Sequence, residues 1–100
     1  MIRIYLYIEN DCQSCRSVEA RLTGLTAQRP DVELVALRRG TDNEAFVSSN
    51  VLICPAVFVE TTFVSYGMPD TETVEFLINR YRMNFKAKRN HKQNRKGDQK

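Results

Sequence analysis

Cys12 and Cys15 are separated only by Gln13 and Ser14, and the third cysteine, Cys54, stands directly before Pro55. Thiols at positions i and i+3 of a helix lie on one face, close enough for a sulfur–sulfur bond that can be made and broken. The same spacing is half of a zinc site. A structural zinc site takes four ligands, however, and the other candidates are Cys54 and His91, the latter far along the chain. The dithiol reading therefore stands ahead of the metal reading.

The elements that must position these thiols are legible in the periodicity. Ile2, Ile4, Leu6 and Ile8 alternate with Arg3, Tyr5 and Tyr7, the period-two pattern of a strand rich in β-formers. Asp11 is the expected N-cap of a helix running to about Gln28, in which Cys15, Val18, Leu22 and Leu25 recur at helical spacing and define a buried stripe. Pro30-Asp31 breaks that helix, and Val32 to Leu37 reads as a second strand. The crossover makes it parallel to the first, in a right-handed βαβ unit. Thr41-Asp42-Asn43-Glu44 has the form of a capping box before a short helix. Ala56 to Glu60 and Phe63 to Tyr66 read as a hairpin turning at Thr61-Thr62. Pro69-Asp70 then opens a last helix with an apolar face at Val74, Leu77, Ile78 and Tyr81. The order is β-α-β-α-β-β-α, with the paired cysteines at the first strand-to-helix junction.

One hundred residues at 42% hydrophobic content suit a single domain with one core. No apolar run reaches membrane-spanning length, and the N-terminal apolar stretch has neither a basic leader nor a small-residue cleavage site, so neither a membrane span nor a secretory signal is expected. Three cysteines, two of them this close, make a poor framework for stapling a secreted mini-protein, which points to a reducing, cytoplasmic setting. Residues 1–85 carry eight Arg against eleven acids, net −3, whereas residues 86–100 carry five Lys and two Arg against Asp98, net +6. The expected division is a domain over 1–83 and a basic, disordered tail over 84–100. That tail could contact nucleic acid or an acidic partner through charge.

A strand ending at Asp11-Cys12-Gln13-Ser14-Cys15 and leading into an amphipathic helix resembles the thioredoxin superfamily. Cys54-Pro55 before a hairpin and a final helix is similar to that superfamily's cis-proline segment. The resemblance covers roughly residues 2–82 and is nearest to the small glutaredoxin-like and thioredoxin-like redoxins. It implies an α/β thioredoxin fold with a four-stranded mixed sheet. It also implies a thiol-disulfide oxidoreductase in which Cys12 attacks and Cys15 resolves, with Gln13, Ser14, Cys54, Pro55 and Gly67 along the substrate groove. With Pro55 cis, the backbone of Cys54 would face the motif and pair with an extended substrate. The chain departs from the pattern at Leu6, where thioredoxins carry a buried carboxylate. Ser14 stands where glutaredoxins have Tyr between the cysteines, and Glu9-Asn10-Asp11 where they have a basic residue.

A helix start favours a thiolate at Cys12 through unpaired N–H groups and the helix dipole. Glu9 and Asp11 oppose it, which predicts a reductant more than an oxidant. The expected partners are a protein or small-molecule disulfide and an electron donor such as a reductase or glutathione. No cofactor is expected, and the chain should act as a monomer. Cys54 reads either as a small filler of an apolar gap, or as an alternative resolving thiol or third ligand. Two alternatives therefore remain beside the oxidoreductase. One is a module holding a metal or iron-sulfur cluster through Cys12, Cys15 and Cys54; the other is a redox-controlled adaptor with a polyanion-binding tail.

Overall fold

In the computed structural model, which describes the backbone of residues 1–98 and the side chains of residues 1–85, β1 (Ile2–Ile8) lies at the middle of the sheet. It pairs in parallel with β2 (Val32–Arg38), in the register Ile4 to Leu34 and Tyr7 to Leu37. On its other side it pairs antiparallel with β3 (Ala56–Val59), which forms a hairpin with β4 (Thr62–Tyr66). The strand order is β2-β1-β3-β4. Helices α1 (Gln13–Ala27), α2 (Asn43–Ser48) and α3 (Thr71–Asp98) complete the order expected from sequence.

The alternation in β1 divides its side chains between two cores. Ile2, Ile4, Leu6 and Ile8 are buried against the stripe of α1, formed by Cys15, Val18, Leu22 and Leu25, and against Val74, Leu77 and Ile78 of α3. Tyr7 points to the opposite face and packs edge-on against Phe46 of α2, with ring centroids 4.9 Å apart. The second core is smaller because α2 has only six residues. Strand and helix periodicities thus agree on one interface, and that agreement fixes where α1 begins relative to the end of β1.

Several boundaries differ from those read in the sequence, each for a local reason. Cys12, not Asp11, is the N-cap of α1. Asp11 sits in the left-handed region at φ 54°, a conformation Asp tolerates better than most residues, and makes the sharp turn between β1 and α1. The capping box at Thr41 does not form. Asp42 is the N-cap of α2 but its carboxylate accepts from the Arg38 N–H, while the Asn43 side chain accepts from Gly40 N–H. The hairpin turns at Glu60-Thr61 instead of Thr61-Thr62, with Glu60 at φ 54° and its carboxylate accepting from Arg3 N–H at 2.7 Å. Helix α3 runs past residue 83 to Asp98. The expected basic tail over 84–100 lies almost wholly outside the residues whose side chains are described.

Helix α3 is pinned to the turn before β2 by a two-pronged ion pair. Arg82 donates from Nε to Asp31 Oδ2 at 2.6 Å and from Nη2 to Asp31 Oδ1 at 2.8 Å. The guanidinium holds the Asp31 carboxyl below its ordinary value. A depressed carboxylate contributes stability that is fully present above its unfolded value of about 3.9 and fades as the pH falls through the folded value. Asp31→Asn should therefore lower stability by up to about 1 kcal/mol at neutral pH, the scale of a well-aligned but solvent-screened pair. In urea titrations the gap from wild type should close as the pH drops below about 4.

Candidate active site

Cys12 caps α1 with its sulfur, which accepts the Cys15 backbone N–H at 3.1 Å. The backbone of Cys12 is extended, as an N-cap requires, and its carbonyl takes the Arg16 N–H. The sulfur thus stands among the unpaired N–H groups of the first turn, where negative charge is favoured. Cys15 lies one turn inward at 2% exposure and belongs to the main core. The two cysteines are joined by a disulfide, with Cα atoms 5.2 Å apart. One sulfur is half-buried at the surface and the other is inside, so approach from solvent is one-sided. Gln13 and Ser14, between them, are exposed.

Cys54 and Pro55 close the loop that leads into β3, and their peptide bond is cis. Pro55 is buried, and its carbonyl accepts the Gly67 N–H at 2.8 Å, which ties the end of β4 to the start of β3. Gly67 has φ 87°, a conformation that other residues rarely adopt. Cys12 and Cys54 are both half-buried and packed against the same core cluster. Cys54 is the free cysteine. Burial raises its thiol above the ordinary value, partly offset by the cation of Arg39, while Glu9 pushes it further up.

Nothing in the sequence marks Arg39 as the residue that joins Glu9, Leu52 and Cys54. Its guanidinium donates from Nε to Glu9 Oε1 at 2.9 Å, from Nη2 to the Leu52 carbonyl at 3.0 Å, and from Nη2 to Cys54 Sγ at 3.4 Å. It also lies over the Phe46 ring, 5.0 Å from the centroid. Glu9 was expected only to oppose the helix end. It is held by this cation, which reduces the field it sets against Cys12. Among the described residues no three His, Cys, Asp or Glu side chains converge as a metal-binding group, and two of the three proposed sulfur ligands are bonded to each other. The described residues also contain no helix long and apolar enough to cross a membrane.

No protein-family model matches the chain, and no curated protein matches it in sequence. Solved structures do match in shape. Thioredoxin from Fasciola hepatica superposes with a TM-score of 0.64 at 18% identity, over 78% of this chain and 79% of that one. A thioredoxin-like protein from Clostridium perfringens gives 0.67 at 14% identity, over 79% and 69%. Oxidised mitochondrial thioredoxin 3 from Saccharomyces cerevisiae gives 0.61 at 16% identity, over 78% and 76%. The chain has the thioredoxin fold. Within that fold the disulfide occupies the junction of β1 and α1, and the Cys54-Pro55 loop and Gly67 meet at the head of the β3–β4 hairpin.

The burial and the bonding state of the three sulfurs have a direct chemical readout. Oxidised protein should take up a single maleimide, at Cys54, and reduction should add rapid labelling at Cys12 before Cys15. Because the Cys54 thiol is raised, its labelling rate should still be climbing above about pH 9, whereas an ordinary cysteine half-ionises near about 8.5.

Proposed function

We propose that the protein is a thiol-disulfide oxidoreductase that reduces or exchanges disulfides in a protein or small-molecule substrate. The observation that carries this reading is the disulfide between a half-buried sulfur capping α1 and a buried sulfur one turn inward. In the reduced protein the N–H groups at the start of α1 favour the Cys12 thiolate. That thiolate attacks one sulfur of the substrate disulfide, forms a mixed disulfide and releases the other substrate sulfur, which takes a proton. Cys15 then gives up its proton and attacks Cys12 Sγ, so that the second substrate thiol leaves and the Cys12–Cys15 bond closes. The substrate gains two electrons and two protons, and the protein loses them. An external thiol, either glutathione or a dithiol reductase, returns the pair to the reduced state.

Gln13, Ser14, Cys54, Pro55 and Gly67 form the substrate groove in this reading. The Ile53-Cys54 backbone offers hydrogen-bonding groups to an extended segment beside the substrate cysteine. Leu52 and Ile53, at 80% and 58% exposure, supply apolar contact there. The cycle needs a reduced resting dithiol, which suits a reducing compartment such as the cytosol, and one chain contains both sulfurs, which suits a monomer.

Insulin or dithiobisnitrobenzoate reduction, with glutathione or a thioredoxin reductase as donor, tests the proposal. Cys12→Ser should fall to the uncatalysed rate. Cys15→Ser should stop after one attack and accumulate a mixed disulfide through Cys12, visible by mass spectrometry. Turnover that survives Cys12→Ser would end the reading.

A further inference from the structure

We infer that Arg39 is a positioning residue for disulfide exchange, holding the loop before Pro55 in the shape that receives the substrate segment. This rests on the oxidoreductase reading above. Arg39 lies just beyond β2, at the same end of the sheet as the cysteine pair, and its side chain joins three separate pieces of the site. One prong reaches Glu9, at the end of β1 and three residues before Cys12. Another takes the carbonyl of Leu52 and the sulfur of Cys54, on either side of Ile53. The planar group rests on Phe46, which anchors α2 to the sheet.

The loop needs such a holder. Leu52 and Ile53 bury little of their side chains, so the hydrophobic effect gives them scant reason to settle in one conformation. Val51 is buried and fixes one end, and Pro55, bonded through its carbonyl to Gly67, fixes the other. Between these anchors, the Arg39 contacts at Leu52 and Cys54 are polar bonds from a rigid fork, and a planar fork loses less freedom per bond than a lysine ammonium. A loop already ordered in the free protein does not charge its ordering entropy against substrate binding. Releasing it should weaken substrate and transition state equally, which raises KM and leaves kcat alone.

Glu9 completes the arrangement. Its carboxylate aims the guanidinium, so Glu9→Gln should reproduce part of the Arg39 effect although it is Arg39, not Glu9, that bonds Leu52 and Cys54. Arg39→Lys keeps the cation but offers a single point of attachment in place of the fork. Each Arg39 contact is partly solvent-exposed, so no large change in global stability is expected.

The test compares wild type, Arg39→Met, Arg39→Lys and Glu9→Gln in steady-state reduction of a disulfide-bonded peptide, together with amide hydrogen exchange over residues 51–54 and the thermal midpoint. For Arg39→Met we expect KM to rise about 10-fold at unchanged kcat, the size of one lost ordering contribution. Exchange at residues 52–54 should quicken while the midpoint stays close to wild type. Arg39→Lys should recover part of the KM, and Glu9→Gln should fall between. An active wild type with Arg39→Met matching it in KM and in loop exchange would overturn the inference. A fall in kcat with KM unchanged would overturn it too. A wild type inactive on every disulfide would sink the oxidoreductase reading instead, and the exchange data would still decide whether Arg39 orders the loop.

Discussion

The hydrogen bond from the Cys15 backbone to the Cys12 sulfur ties the chemistry to the fold. A helix must satisfy its first N–H groups, and here a sulfur atom does so in place of the usual oxygen. Where that sulfur stands is set by packing far from it. The α1 stripe seats against Ile2, Ile4, Leu6 and Ile8, and its first member is Cys15 itself. Cys15 is therefore at once a core residue and the inner half of the disulfide. A slip of α1 along the sheet would move the sulfur pair and unseat Val18 and Leu22 together. Close packing, which resists small displacements, is what makes the site rigid.

Charge is layered on that frame. The first turn of α1 has no acidic residue, so nothing within the helix competes with the capping sulfur for its N–H groups. The nearest acids precede the helix. Asp11 makes the turn, and Glu9 is drawn aside by Arg39. One cation thus relieves the field in front of Cys12, steadies the Leu52 carbonyl and meets the Cys54 sulfur. Burial is the largest influence on the Cys54 thiol, in keeping with a side chain that fills space at the edge of the main core.

Most of the frame can be read from residue types alone, because it depends on periodicity. The alternation of Ile2 to Ile8, the stripe from Cys15 to Leu25, and the Val74, Leu77, Ile78 face each name one partner surface, and together they admit few arrangements. The paired cysteines fall at the strand-to-helix junction for the same reason. The turns were less legible. Asp11 and Glu60 adopt positive φ without being glycine, and a single non-glycine residue in that conformation leaves no pattern along the chain. The Arg39 contacts were invisible for a different reason. They join residues 30, 13 and 15 positions apart, and a long-range polar contact has no local signature. Arg39-Gly40 reads as a turn, and so it is; what the guanidinium reaches depends on the finished fold.

The central claim is that the amino end of α1 stabilises a sulfur anion at Cys12, and ultraviolet thiolate absorbance of the reduced protein against pH tests it most directly. Wild type compared with Cys12→Ser isolates the contribution of that sulfur. The account predicts that the Cys12 thiolate forms below the pH at which a free thiol ionises, because the helix start favours the anion. A Cys12 signal that appears only at or above about pH 8.5, as for an unassisted thiol, would contradict it.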